Sequence, residues 1–77
     1  MLSFIKKFFK GTLSEACYNG NIEAVKQHLD AGADVNAKNK RGKTPLDWAI
    51  RYNRTKIADL LRKHGGKTGE ELKAEGK

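Results

Sequence analysis

A single cysteine, Cys17, and two well-separated histidines, His28 and His64, stand in a chain of 77 residues. That scarcity excludes an internal disulfide and leaves no set of ligands for a zinc ion. One proline and few aromatics (three Phe, two Tyr, one Trp) argue against a Pro-rich linker or a β-sandwich. No apolar run is long enough for a transmembrane span. Acidic residues are also scarce, 9 Asp+Glu against 16 Lys+Arg, for a formal net charge of +7. A chain of this length has room for one domain and hides only about 60% of the surface that its unfolded form exposes. These exclusions leave a small, soluble, helical domain with a positive bias and no internal staple.

The surplus charge is uneven. Lys6, Lys7 and Lys10 have no acid near them, whereas residues 12–37 hold Lys26 against Glu15, Glu23, Asp30 and Asp34. Lys38, Lys40, Arg41 and Lys43 then put four positive charges into a run of six residues. A further surplus follows over 44–64, and the tail from Gly65 balances. Such a cluster governs encounter with acidic surfaces or polyanions rather than the fold.

Residues 1–11 predict an amphipathic helix. Apolar groups at Met1, Leu2, Phe4, Ile5, Phe8 and Phe9 and polar groups at Ser3, Lys6, Lys7 and Lys10 both follow helical spacing. Lysines interrupt the apolar positions, unlike a secretory signal, so the expected location is cytoplasmic. A helix this short is marginal alone in water and has to dock. Phe4, Ile5, Phe8 and Phe9 are the face that caps the domain, meets a second copy as a homo-oligomer, or lies on an anionic membrane surface.

Thr12-Leu-Ser-Glu15 is a capping-box pattern opening a helix with Leu13, Ala16 and Cys17 on its apolar edge. Asn19-Gly20 ends it, and Asn21 caps a second helix with Ile22, Val25 and Leu29 on one face, closed by Gly32. The plan recurs. Thr44 caps, Pro45 takes the first helical position, and Leu46, Ala49 and Ile50 repeat the earlier edge. Asn53 replaces Gly20 as the left-handed residue, Ile57, Leu60 and Leu61 form the second stripe, and Gly65 answers Gly32. A constant offset of caps, core and breakers, Leu13 to Leu46 and Gly32 to Gly65, marks two copies of one helix–turn–helix unit.

Gly42-Lys-Thr-Pro-Leu-Asp-Trp-Ala49 and Gly32-Ala-Asp-Val-Asn-Ala37 give the chain its resemblance to the ankyrin repeat family, over about residues 12–66. The first stretch is similar to the family's G-x-T-P-L-H-x-A signature and the second to its G-A-D-V-N-A repeat end. The resemblance implies an all-α, short solenoid of two helix–turn–helix repeats with helical caps and an outward finger loop over 33–43. It divides the chain into a capping helix (1–11), repeat 1 with its finger (12–43), a capping-type repeat 2 (44–66) and a short charged C-terminal helix or tail (67–77). Departures are Gly11-Thr12 for the Thr-Pro pair, His28 for a Leu, Asp47 for the signature His, and Arg62 for a second Leu. Thr68-Gly-Glu-Glu71 is a further capping box, opening a helix around Glu70–Glu75. Two repeats are fewer than a solenoid normally needs, which assigns the Phe-rich opening a covering role.

Little chemistry suggests catalysis. Gly42-Lys43-Thr44 and Gly66-Lys67-Thr68 match only the end of a phosphate-binding loop, because Ala37 and Leu61 occupy its first glycine position. Cys17 reads as a small core residue, His28 as a partly buried core side chain, His64 as a helix-end cation, and Trp48 as packing between layers. With no nucleophile–base–acid set, the reading is no enzyme, no metal and no cofactor.

In the family this chain resembles, finger tips and the exposed edge of each first helix form the partner surface. Carried over by position, that surface is Tyr18, Asn19, Lys38, Lys40, Arg41, Lys43, Arg51 and Tyr52. The expected function is protein–protein interaction with an acidic partner. The alternatives are a membrane-surface protein anchored by residues 1–10, a self-associating homodimer, and a nucleic-acid binder using Lys38–Lys43 and Arg51, which lacks any base-reading motif.

Overall fold

Thr12 opens the first helix of the computed structural model, which describes residues 12–76. The five helices are α1 (Leu13–Asn19), α2 (Ile22–Asp30), α3 (Pro45–Arg51), α4 (Thr55–Lys63) and α5 (Gly69–Gly76), and no strand occurs among the described residues. The expected helix over 1–11, with Phe4, Ile5, Phe8 and Phe9, lies outside them.

The helices start and stop where their caps dictate. The Thr12 hydroxyl accepts from the Glu15 N–H at 3.2 Å, and the Asn21 side chain accepts from the Ala24 N–H at 3.1 Å. At Thr44 the capping box is complete: its hydroxyl accepts from the Asp47 N–H, and the Asp47 carboxylate accepts from the Thr44 N–H at 2.8 Å. The chain leaves α1 through Gly20 at φ 78° and leaves α3 through Asn53 at φ 59°. This left-handed region costs Gly least and Asn next.

Repeat 2 departs from repeat 1 at one cap. Asn21 caps α2 locally, but its counterpart Arg54 makes no side-chain cap bond to α4. Its guanidinium reaches back to the end of α1, donating from Nε and Nη2 to the Tyr18 carbonyl at 3.1 and 2.8 Å. A Cβ at Gly20 would fall 2.8 Å from the Arg54 Cζ, so Gly20 also makes room for this bridge. A local cap has been exchanged for a bond that ties the two repeats together.

Leu13, Ala16, Cys17, Val25, Leu46, Ala49, Ile57 and Leu61 form the core, where α1 packs on α2 and α3, α3 on α4, and α2 on α4. Burial of Leu46 and Leu61 stabilises the fold by about 1.5–3 kcal/mol each. The buried face of α2 is narrower than its sequence pattern: Val25 and His28 are buried, while Ile22 and Leu29 only flank the core. Leu60 is likewise at the margin beside Ile57 and Leu61. The repeat symmetry fails at Cys17 and Ile50. Cys17 is fully buried by repeat 2, but Ile50 is 50% exposed because no further helix pair stacks beyond α3 among the described residues.

Helix α5 buries no side chain and is held by polar contacts. Thr68 and Glu71 form a full capping box, with the Thr68 N–H to Glu71 Oε1 at 3.0 Å and the Glu71 N–H to Thr68 Oγ1 at 3.1 Å. Arg62 grips the same Glu71 in a two-point ion pair at 2.7 and 3.1 Å, and Lys67 pairs with Glu75. Thr44 Oγ1 donates to the Lys67 carbonyl at 2.6 Å, and Asp47 Oδ2 accepts from the Gly69 N–H at 2.8 Å. A Cβ at Gly69 would collide with the Gly42 carbonyl oxygen, so only glycine lets the start of α5 sit this close to the finger.

Candidate functional site

The finger between α2 and α3 is organised by asparagines. Asn36 ties its base to the end of repeat 2, donating from Nδ2 to the Gly65 carbonyl at 3.1 Å and accepting the Lys67 N–H at 2.7 Å. Asn39 folds the tip. Its Oδ1 accepts the Arg41 and Lys43 N–H groups at 2.8 and 3.0 Å, its carbonyl accepts the Gly42 N–H, and its own N–H donates to the Lys43 carbonyl. The finger is thus closed by turns rather than by a strand ladder. Because Asn39 absorbs the backbone groups of the tip, the exposed side chains of Lys38, Lys40, Arg41 and Lys43 are left as its outward chemistry.

Beside the finger lies an aromatic shelf. Tyr18 on α1 meets Trp48 on α3 edge-on, with ring centroids 5.7 Å apart. Tyr52, at the end of α3, lies 5.8 Å from Tyr18 and 6.3 Å from Trp48. The spacings are those of favourable aromatic pairs. Trp48 and Tyr18 are half-buried and Tyr52 is 44% exposed, so the shelf presents its rings to solvent.

Three hollows adjoin this shelf. One of about 350 Å³ is bounded by Arg41, Lys43, Asp47, Trp48, Arg51 and Tyr52. A second, of about 360 Å³, runs over Tyr18, Trp48 and Lys38 beside Glu15 and Asn39. A third, of about 390 Å³, lies between the finger and α5, with Lys38, Arg41, Lys43 and Lys73 on its walls beside Asp47 and Glu70. The three are neighbours: Trp48 borders the first two, and Arg41 and Lys43 border the first and third.

Cations outnumber acids around the hollows, with Lys38, Arg41, Lys43, Arg51 and Lys73 against Glu15, Asp47 and Glu70. Ion pairs among the described residues involve Arg62 with Glu71 and Lys67 with Glu75, away from these cations. Asp47, the acid under the finger, already accepts from the Thr44 and Gly69 N–H groups. None of the positive side chains around the shelf is held in an ion pair among the described residues.

The residues expected from sequence separate into two sets. Tyr18, Lys38, Arg41, Lys43, Arg51 and Tyr52 come together around the hollows, whereas Asn19 and Lys40 are exposed but line none of the three. Trp48, expected as interlayer packing, does pack against the core and edge-on against Tyr18 of α1, and its exposed part also borders two of the hollows. The helical spacing of Trp48 and Tyr52 is the sequence signal that could have pointed to this shelf. Lys73 joins from α5, and no repeat spacing could have indicated it. The membrane and homodimer alternatives rest on residues 1–10, outside the described residues.

No group of three His, Cys, Asp or Glu that could hold a metal occurs among the described residues. Burial pushes the Cys17 thiol up to about 12, which keeps it protonated and unreactive at neutral pH. His28 is buried in α2, and His64 at the end of α4 has its Nδ1 3.0 Å from the Leu60 carbonyl oxygen.

A family model for ankyrin repeats, spanning three copies, matches residues 6–73, where the sequence reading distinguished two. An ankyrin repeat protein of Rickettsia conorii is 61% identical over 33 residues, 43% of this chain and 61% of that protein. Cyclin-dependent kinase 4 inhibitor B of Mus musculus is 40% identical over 53 residues, 69% of this chain and 40% of that protein. An ankyrin repeat protein of fowlpox virus is 38% identical over 59 residues, 75% of this chain and 42% of that protein. The chain spans between 40% and 61% of the length of these relatives.

Proposed function

The chain belongs to the ankyrin repeat family, whose repeats are generally protein–protein interaction modules, and on that premise we propose that it binds an acidic segment of a partner protein without catalysis. The observation that carries this reading is the juxtaposition of the Tyr18–Trp48–Tyr52 shelf with the unpaired cations Arg41, Lys43 and Arg51. Tyrosine, tryptophan and arginine are the residue types that dominate binding energy at protein interfaces. Cations beside the rings repel a positively charged ligand and attract carboxylates, which raises the rate of encounter and selects among partners. One relative is by name an inhibitor of a cyclin-dependent kinase, so its target is itself a protein.

Trp48 is the sole tryptophan and reports directly on the shelf. Titration of its emission with a Glu-rich and with a Lys-rich peptide tests the reading. Binding of the Glu-rich peptide should change the emission, weaken as salt rises, and weaken further in Arg51→Glu. A Lys-rich peptide that binds equally well, or Glu-rich binding insensitive to salt, would refute it.

A further inference from the structure

Helix α5 lies outside the repeat-derived surface, yet it supplies a wall of the third hollow. The geometry points to a single binding channel crossing α1, α3 and α5, shaped for an extended peptide in which one apolar residue stands beside a run of acids. This inference rests on the acidic-partner reading above and adds the register of the partner and the participation of α5.

The argument follows the chemistry along the channel. At the α1 end, Tyr18 and Trp48 offer a hollow flanked by one cation, Lys38, and one acid, Glu15, which suits an uncharged residue there rather than a carboxylate. Beyond Trp48 cations outnumber acids, first Arg41, Lys43 and Arg51 against Asp47, then Lys73 beside Glu70 on the α5 side. Arg41 and Lys43 border both basic hollows, so a chain passing over them meets the positive side chains in sequence. Among the described residues Lys73 makes no ion pair, whereas Lys67, also at the α5 end of the molecule, pairs with Glu75. The α1–α3 step alone spans about 8–10 Å, the usual separation of packed helices, or about three residues of extended peptide, and the α5 wall lies beyond it. A compact anion such as a single phosphate would fill one hollow and leave the aromatic end empty. An extended acidic chain with an apolar anchor uses the whole channel.

The test measures fluorescence anisotropy of three labelled peptides of about seven residues on the full chain: one Leu beside a run of Glu, the same run with Leu replaced by Gly, and the Leu peptide with Lys in place of Glu. Expected affinities rank the Leu–Glu peptide first, the Gly–Glu peptide about tenfold weaker, and the Lys peptide without measurable binding. Lys73→Gln should weaken the Leu–Glu and Gly–Glu peptides alike, by about threefold, as expected for loss of one exposed charge contact. Trp48→Leu should erase the advantage of the Leu peptide while leaving the Gly peptide bound. Circular dichroism establishes that each variant remains folded, and Tyr18→Leu replaces Trp48→Leu if the latter unfolds. If Glu peptides bind but Lys73→Gln and the Leu-to-Gly change leave affinity unaltered, the channel is refuted while the acidic-partner reading stands. If no Glu peptide binds, both fall.

Discussion

Replacing Asp47 with Ala removes the acceptor that joins the capping box of repeat 2 to α5. One oxygen, Oδ2, accepts the Thr44 N–H at 2.8 Å and the Gly69 N–H at 2.8 Å. The Thr44 hydroxyl has a single proton and lies closer to the Lys67 carbonyl, at 2.6 Å, than to Oδ2, at 3.2 Å. The carboxylate thus serves two N–H donors. A hydrogen bond to a charged group contributes about 1.5–3 kcal/mol, and an unsatisfied buried donor costs about 1–3 kcal/mol. Thr44 is fully buried, but Asp47 borders two hollows and the Gly69 site is partly open, so water can offset part of the lost bonding. The expected loss is about 2–4 kcal/mol, a large share of the stability of a small domain. At roughly 4–8 °C per kcal/mol, the thermal midpoint should fall by about 8–30 °C. Asp47→Asn can keep an oxygen at the same place and forfeits only the charge, so it should retain more than half of that stability. Urea and thermal unfolding followed by circular dichroism read both. An Asp47→Ala protein within about 0.5 kcal/mol of the parent, or an Asn variant as unstable as the Ala variant, would refute the reasoning.

Three further outcomes follow from the same contacts. Gly69→Ala should detach α5, since its methyl meets the Gly42 carbonyl; hydrogen exchange at Glu71 and Leu72 should accelerate while α1–α4 keep their protection. Arg62, with the Thr68 N–H, lowers the Glu71 carboxyl from 4.5 to about 2. A depressed carboxyl stabilises the docked helix above its unfolded value and loses that effect as pH falls, so α5 should stay docked above about pH 4.5 and loosen towards pH 2. Backbone amide shifts of residues 69–72 followed from pH 6 to pH 2 check it, and Arg62→Gln should move the change upwards. Cys17 should resist a thiol reagent at pH 8 in the folded protein and react fully in denaturant, because its thiol is buried and pushed up to about 12.

The repeats were legible because their signals are local. Thr12, Asn21 and Thr44 cap where their hydroxyl and amide groups sit before apolar runs, and Gly20 and Asn53 break where a left-handed residue is needed. The core positions Leu13, Ala16, Leu46 and Ala49 followed from the repeat offset. That offset misled at Ile50, because its burial depends on a neighbouring helix pair rather than on its own spacing. The sequence showed Asp47 in place of the signature His, but not that its carboxylate would bind the start of α5. The surface role of Trp48 and the bridge made by Arg54 were not legible for a related reason. Their partners Tyr18 and the Tyr18 carbonyl lie on α1, some thirty residues away, and occupy no equivalent positions in the two repeats. Long cationic and aromatic side chains reach across repeats, and a periodicity describes only where their backbones stand.

Amide chemical-shift mapping with a Glu-rich peptide tests most directly whether the aromatic and basic face is where a partner binds. The account predicts perturbations confined to Tyr18, Trp48, Arg51, Tyr52 and the finger from Lys38 to Lys43, extending to Lys73. Perturbations centred instead on the exposed cations Lys26, Lys56 and Lys63 of α2 and α4 would contradict it.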